Sequence, residues 1–154
     1  MLDNSSIMQS IGLGDSSMNK IEFLLQQNHI GTLIGKKLDL ALSVHGINST
    51  EFIVMYHLNH AQERKLSRIA LAEKVALTAS GVTRVLLPME KIGLIQKNIN
   101  PRDARQSLVL LTENGQKIVQ DAILTVTYTS ESIFSLINED EISSLFSLLN
   151  KLKF

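Results

Sequence analysis

The stretch from Thr78 to Gly93 constrains the fold more than any other part of this 154-residue chain. Its apolar residues recur every three or four positions, which predicts an α-helix with one buried face formed by Val82, Val85, Leu86, Met89 and Ile92. The opposite face carries Ser80, Thr83, Arg84 and Lys91, and the first acidic residue within this stretch is Glu90. Short hydroxyl side chains and an arginine near a helix start suit close contact with a negatively charged surface. The major groove of DNA is the leading candidate for that surface.

A second, shorter helix is predicted directly before this one. Ser67 is a suitable N-cap for a helix over about 68–75, and Thr78 is a suitable N-cap for the next helix. Two short helices on either side of a tight turn form the helix-turn-helix pattern. Ser80 and Thr83 also fit a simpler role, because hydroxyl residues are common at helix starts. Arg84 favours the DNA-contact role, because arginine pairs with guanine or with phosphate.

A β-hairpin is predicted after Gly93, which ends the helix. We expect strands at about 94–97 and 108–111, joined by a ten-residue connection over 98–107. This connection contains Pro101, Arg102, Asp103 and Arg105, so it should be a stiffened, charged projection. A helix-turn-helix followed by such a hairpin is a winged helix. The alternative is that the arginines lie in an ordinary solvated loop, and the proline-stiffened setting favours DNA contact.

The charges are unevenly distributed, although the net charge of the whole chain is zero. Residues 63–105 contain nine basic and four acidic residues, a local net charge of +5 that the remaining segments balance. This separation fits an electrostatic contact with phosphate. Within the basic segment, the candidates for contacts with the DNA backbone are Arg64, Lys65, Ser67 and Lys97.

Long helices with apolar faces are predicted on both sides of the winged helix. The first runs over about 21–44, and a capping box at Asn48 and Glu51 begins a helix to about 59. Thr112 caps a helix over about 113–137, and a second capping box at Asn138 and Glu141 begins a last helix to about 152. Since the winged helix is too small to cover their apolar surface, we expect packing against a second copy. A two-fold dimer would match a palindromic DNA site. An intramolecular bundle is the alternative.

Several classes of function are disfavoured by the sequence. The chain has no cysteine, which excludes disulfides, thiolate metal sites and thiol redox switches. It has no run of eighteen apolar residues, and residues 1–19 resemble a loose polar arm rather than a secretion signal, so we expect a cytoplasmic protein without membrane association. His57 and His60 have metal-ligand spacing, but no acid lies at a suitable interval. We therefore expect ordinary surface histidines, no metal, no cofactor and no enzymatic activity.

The segment from Leu66 to Gly115 resembles the winged helix of the MarR family of bacterial transcription regulators. The resemblance covers about a third of the chain and includes both helices and the hairpin. Its motifs are Leu71-Ala72, Val82-Thr83-Arg84, Glu90-Lys91-Ile92-Gly93-Leu94, Asn100-Pro101-Arg102-Asp103-Ala104-Arg105 and Leu108-Val109-Leu110-Leu111-Thr112-Glu113-Asn114-Gly115.

The resemblance implies a mainly α fold with a small β-hairpin wing, in one domain. Residues 20–45 and 113–154 would form intertwined dimerisation helices around a winged-helix DNA-binding region over 48–112. The recognition helix would read the major groove through Ser80, Thr83 and Arg84, with Thr78 at its start. The wing would enter the minor groove, with Arg105 as the contacting arginine and Asp103 steadying the loop; Arg102 is a further wing candidate.

The sequence departs from the family pattern at three positions. Ala104 replaces a common second arginine, Ala76 replaces a frequent turn glycine, and Leu87 replaces a frequent polar residue on the exposed face. Leu87 has two interpretations, contact with a thymine methyl group or packing against the stem of Arg84, and we expect the packing.

We therefore expect a sequence-specific DNA-binding transcriptional regulator, a repressor that acts as a homodimer on a palindromic operator. A small aromatic or phenolic effector that releases the DNA would fit between the dimer helices and the winged helix, but no residue identifies its site. The alternative is a winged helix that contacts a protein partner and does not read DNA. The alternative predicts little salt dependence of binding, whereas phosphate contact predicts a steep one.

Overall fold

The computed structural model describes residues 15–100 and 103–153, and the side chains of residues 19–98 and 107–153. Its helices are α1 (Asp15–Leu42), α2 (Ser49–Asn59), α3 (Arg68–Lys74), α4 (Ala79–Lys91), α5 (Glu113–Ile133) and α6 (Glu139–Leu149), with 3-10 turns at Ser43–His45 and Gln62–Arg64. The strands β1 (Lys65–Ser67), β2 (Ile95–Asn100) and β3 (Asp103–Leu111) form an antiparallel sheet in the order β1-β3-β2. The predicted fold class, mainly α with a small β-hairpin wing, is confirmed.

The described residues form two compact units, and the boundary between them in the chain falls between Lys37 and Leu38. The first contains most of α1. The second begins with the end of α1 and contains every other helix and strand named above. None of the helices in the described part of the chain has the length and apolar character needed to span a bilayer.

Local side-chain caps begin the helices as the sequence predicts. The hydroxyl groups of Ser67, Thr78 and Thr112 each accept a hydrogen bond from the backbone N–H three residues ahead. Asn48 and Asn138 form complete capping boxes, with all four hydrogen bonds at 2.9 Å. These bonds satisfy N–H groups that the first helical turn leaves without partners.

The core of the second unit lies between the winged helix and the helices α2 and α5. Val54 and Met55 of α2 are fully buried, as is Val119 of α5. They pack in one cluster with the buried residues of the winged helix, Leu71, Val82, Leu86, Met89, Leu94, Ile95, Val109 and Leu111. Burial of one face of α4 sets the rotation of that helix and leaves its other face on the surface.

Helix boundaries differ from the prediction by several residues. The first helix begins at Asp15, six residues before the predicted start, so residues 15–19 are helical. The loose arm predicted for residues 1–19 otherwise lies outside the described residues. α5 ends at Ile133 and α6 at Leu149, each a few residues earlier than predicted.

The wing differs from its prediction more than the helix boundaries do. Its strands extend to Asn100 and from Asp103, with Asn98 opposite Leu108 and Ile99 opposite Ser107. The predicted ten-residue connection was therefore wrong, because backbone pairing continues through polar residues that carry no apolar alternation. Strand β1, predicted as a linker and a helix cap, pairs with β3 along Lys65–Ser67.

Much apolar surface remains exposed on the helices outside the winged region. No residue of α6 is buried, and its Phe146 is 68% exposed. On α1, Leu24 and Leu25 are 66% and 67% exposed. Such extensive exposure is unusual for a stable monomer and is typical of surfaces that a partner covers.

The turn between α3 and α4 carries backbone strain at Ala76. Its φ of 51° is left-handed, and the N–H groups of Ala76 and Leu77 bond to Glu73 and Ala72 in the double hydrogen-bond pattern of a Schellman motif. The same pattern ends α4, where Gly93 takes the left-handed position with φ of 74°. Glycine adopts this conformation without the steric cost that a Cβ atom imposes.

Replacing Ala76 with glycine should therefore stabilise the protein. We expect the Ala76→Gly variant to raise the free energy of unfolding by about 1 kcal/mol, since relief of left-handed strain outweighs the added chain entropy. Urea denaturation measures the change. The control is Ala70→Gly inside α3, where the same substitution should cost about 1 kcal/mol. A destabilised Ala76→Gly variant would contradict the assignment of strain to this turn.

Candidate nucleic-acid interface

The outer face of α4 brings together the predicted recognition residues. One face of the helix packs against the core through the buried side chains of Val82, Leu86 and Met89. Ser80 and Arg84 are exposed on the other side, and Thr83 is half-buried between them. The structure thus places these three side chains on one accessible helical surface.

Hydrogen bonds within α4 determine what its hydroxyl groups can still offer. Thr78 Oγ1 accepts from the N–H of Gly81 at 3.1 Å and lies 3.1 Å from Ser80 Oγ. Thr83 Oγ1 donates to the carbonyl of Ala79 at 2.9 Å, so its oxygen is left to accept. Since arginine only donates, the face combines a donor at Arg84 with an acceptor at Thr83. This is a mixed set of the kind that can match base edges in the major groove.

Arg84 also lines a cleft of about 360 Å³ between α4 and the start of α2, with Asp39, Glu51 and Pro88 among the other lining residues. Hydrogen bonds from the Ser49 side chain and backbone hold the pKa of the Asp39 carboxyl below its usual value, so Asp39 is ionised at neutral pH. The backbone bond, from Ser49 N–H to Asp39 Oδ1, measures 2.7 Å. No hydrogen bond or ion pair within the described side chains holds the Arg84 guanidinium. Its donors are therefore available for an external partner.

The four residues predicted to contact the DNA backbone all have partners within the chain. Arg64 donates to the side chain of Gln116 on α5, and the hydroxyl of Ser67 caps α3. Lys65 forms an ion pair with Glu63, and Lys97 forms one with Glu90. Both lysines remain partly accessible, with side-chain exposures of 36% and 29%. Surface ion pairs of this kind are weak, so a phosphate can replace the carboxylate at small cost.

The wing residues are only partly described. Asp103 and Arg105 lie in β3, where the structure describes their backbone but not their side chains. Arg102 lies outside the described residues. The structure therefore shows the two-stranded body of the wing next to α4. Contacts by these three side chains stay predictions.

Two further exposed cations lie in the winged region. Arg68 begins α3 and Lys91 ends α4, and neither has an ion-pair partner among the described side chains. The sequence placed Lys91 on the outer face of the recognition helix without assigning it a DNA contact, and it indicated Arg68 only as part of the local positive charge. Their accessibility depends on how α3 and α4 pack, which the charge pattern does not reveal.

A separate apolar groove lies between α2 and α5. It has a volume of about 440 Å³, and its lining includes Phe52, Tyr56 and His57 from α2 and Ile123 and Val126 from α5. Partial burial lowers the pKa of His57, and the charges of Lys74 and His60 lower it further, so the imidazole is neutral at neutral pH. The lining of the groove is thus uncharged, with aromatic rings on its α2 side.

The two histidines at the C-terminal end of α2 both lie against the ring of Tyr56. His60 stacks on the Tyr56 ring at a centroid distance of 4.2 Å, and its Nδ1 lies 2.8 Å from the Tyr56 carbonyl oxygen. Among the described residues, no group of three His, Cys, Asp or Glu side chains is arranged to hold a metal ion.

Comparison with known proteins identifies the family. Residues 36–122, more than half of the chain, match the sequence profile described as transcriptional regulator SarA/Rot. An HTH-type transcriptional regulator of Bacillus cereus is 29% identical over 137 residues, which cover 82% of this chain and 91% of that protein. Both matches are described as transcriptional regulators.

Solved structures support the same assignment. A putative MarR-like transcription regulator from Bacillus cereus is 25% identical and superposes with a TM-score of 0.75, covering 87% of this chain and 95% of that one. A mutant of MarR from Escherichia coli in complex with operator DNA shares the fold, with a TM-score of 0.78, 24% identity and coverage of 86% and 95%. The chain belongs to the SarA/Rot family of transcriptional regulators and has the winged-helix fold of MarR-family regulators.

Proposed function

We propose that this regulator binds a palindromic operator as a homodimer and represses transcription. The observation that carries the proposal is the outer face of α4, where the Arg84 guanidinium is accessible beside Ser80 and Thr83. A mutant of MarR from Escherichia coli, which has a similar fold, was crystallised with operator DNA. Our chain shares that fold and carries donor and acceptor groups on the exposed face of α4.

The proposed docking places the start of α4 in the major groove. Arg84 would donate to a guanine or a phosphate, and Thr83 would accept from an exocyclic amine. Thr78 would hold the first turn of the helix while Ser80 contacts the DNA. The wing would approach the minor groove with Arg102, Asp103 and Arg105, and the partly exposed Lys65 and Lys97 would meet the backbone.

The exposed apolar surface supports the homodimer. α6 has no buried residue although Leu145, Phe146 and Leu148 are large and apolar. An intramolecular bundle would bury these side chains, whereas a second copy can cover them and the exposed leucines of α1. Two-fold symmetry would then present two α4 helices to two half-sites, separated by about one turn of DNA.

The groove between α2 and α5 supports an effector site. Its uncharged lining, aromatic on the α2 side, suits a small aromatic or phenolic ligand, and the hydroxyl groups of Thr127 and Ser130 in the lining can orient such a molecule. The ligand would release DNA if it bound better to a conformation in which the two α4 helices are misplaced.

Gel-shift binding to the DNA upstream of the protein's own gene tests the proposed function. We expect a shifted complex at low salt with this DNA. A duplex of random sequence at the same concentration should form less complex. The absence of any complex, together with a monomeric mass, would refute the proposal.

Removing the Arg84 guanidinium should weaken operator binding. We expect the Arg84→Ala variant to lose roughly 1–3 kcal/mol of binding free energy, because the bidentate donor is removed. Fluorescence anisotropy with the operator measures the loss. Lys117→Ala is the control, since it removes an equal charge from α5, outside the winged helix, and should bind almost normally. Equal operator affinity of Arg84→Ala and wild type would show that α4 is not the reading helix.

A charge on α6 should break the dimer. We expect wild-type protein to have twice the 17.1 kDa mass of one chain, and Phe146→Asp to shift towards the monomer because the carboxylate would be buried in the interface. Analytical ultracentrifugation measures both masses. Ile69→Asp is the matched control, since Ile69 is 67% exposed on α3 and Phe146 is 68% exposed. An unchanged dimer in Phe146→Asp would place the interface elsewhere.

Filling the groove should abolish the response to an aromatic effector. In a thermal-shift screen of aromatic acids and phenols, we expect at least one compound to raise the Tm by several degrees at saturation. Ile123→Trp, which fills the groove, should remove that shift, whereas Leu124→Trp on the exposed side of α5 should retain it. Retention of the shift by Ile123→Trp would assign the ligand to another site.

A further inference from the structure

Leu87 is an apolar side chain in the middle of the polar face of α4. It is 54% exposed. At about 100° per residue, the five outward side chains fall within roughly 100° of arc around the helix axis: Ser80, Thr83, Arg84, Leu87 and Lys91. Leu87 lies inside that arc and not at its edge. The side chain is therefore presented to whatever the polar face contacts.

Packing within the chain does not account for this position. The core-facing residues Val82, Leu86 and Met89 lie on the opposite side of α4 and are almost fully buried. Packing against the stem of Arg84, expected from the sequence, leaves more than half of Leu87 in water. Arg84 itself lines the cleft beside Asp39, and the lining of that cleft does not include Leu87.

The neighbours of Leu87 define the partner that it fits. Arg84 and Lys91 provide cations on the same face, and Ser80 and Thr83 provide hydroxyl groups. This combination suits a polyanion that also carries an apolar group within reach of a helix. The major groove of DNA contains one such group, the C5-methyl of thymine.

We propose that Leu87 contacts a thymine methyl group in each half-site and contributes to sequence specificity there. This inference rests on the proposed DNA-binding function and adds a specificity determinant to it. Burial of one methyl group corresponds to about fourfold in affinity, and two symmetric half-sites would give about fifteenfold. A polar side chain at this position would gain nothing from the methyl group.

The test combines DNA and protein substitutions. A duplex selected by the wild-type protein from a random pool is resynthesised with deoxyuridine in place of one symmetric pair of thymines at a time, which removes only their two methyl groups. We expect one symmetric pair of positions at which the double replacement weakens wild-type binding by about fifteenfold. Leu87→Ala should bind the methylated and unmethylated duplexes with equal affinity, and Leu87→Met should retain the preference.

Ile92→Ala is the matched control. Ile92 is 55% exposed at the end of the same helix, but it lies about 140° around the axis from Leu87. Ile92→Ala should keep the full methyl sensitivity. Thermal unfolding of all three variants separates loss of contact from loss of fold.

The outcomes distinguish the inference from the proposed function. Failure to select any duplex would contradict DNA reading itself. If a duplex is selected and its binding requires Arg84, but no thymine position is sensitive to methyl removal, the role of Leu87 is refuted and the proposed function is not. A uniform affinity loss in Leu87→Ala with unchanged methyl sensitivity would show that Leu87 supports Arg84 by packing.

Discussion

Thr112 forms the joint on which the geometry of the winged helix depends. Its hydroxyl donates to the carbonyl of Gly93 at 2.6 Å and accepts from the N–H of Gly115 at 3.0 Å, while its own N–H donates to the carbonyl of Leu94 at 3.1 Å. The end of α4, the base of the wing and the start of α5 therefore meet at one residue. A Cβ atom at Gly115 would lie 2.0 Å from the Leu94 carbonyl oxygen, so only glycine permits this approach. The joint fixes α4 relative to the long helix that follows.

This arrangement connects stability to the proposed function. Buried residues of α4 set its rotation, and the joint at Thr112 sets its position next to α5. The outer face can then remain polar and accessible without loss of the core, because Val82, Leu86 and Met89 already provide the packing. The groove between α2 and α5 borders the same α5 helix. A ligand that moves α5 would therefore act on the helix to which the joint attaches α4.

Features set by neighbouring residues were predictable from the sequence. The N-caps at Ser67, Thr78 and Thr112 depend on a hydroxyl and an N–H three residues apart, so local spacing reveals them. The buried and exposed faces of α4 follow from helical periodicity, except at Ile92, which was expected on the buried face and is 55% exposed because the helix ends at Lys91. Strand β1 was missed because three residues gain strand structure only by pairing with β3, more than forty positions away. The extent of the wing was missed because its ladder is formed by backbone groups of polar residues.

The residues on the outer face of α4 were more predictable from the sequence than the contacts of the surrounding basic residues. Ser80, Thr83 and Arg84 share a face because helical geometry requires it. The intramolecular partners of Arg64 and Lys97 arise from tertiary packing. Arg64 contacts Gln116 on α5, and Lys97 contacts Glu90 near the C-terminal end of α4. The sequence could indicate their charge but not these contacts. The exposed position of Leu87 was readable from periodicity, while the extent of its exposure required the structure.

The salt dependence of operator binding tests the central claim most directly, because phosphate contact and base reading both require the positive winged region to meet DNA. We predict that the logarithm of the association constant falls linearly with the logarithm of the salt concentration, with a slope of about −4 or steeper for a dimer making at least four phosphate contacts. A binding constant that does not change with salt would contradict DNA recognition by this surface.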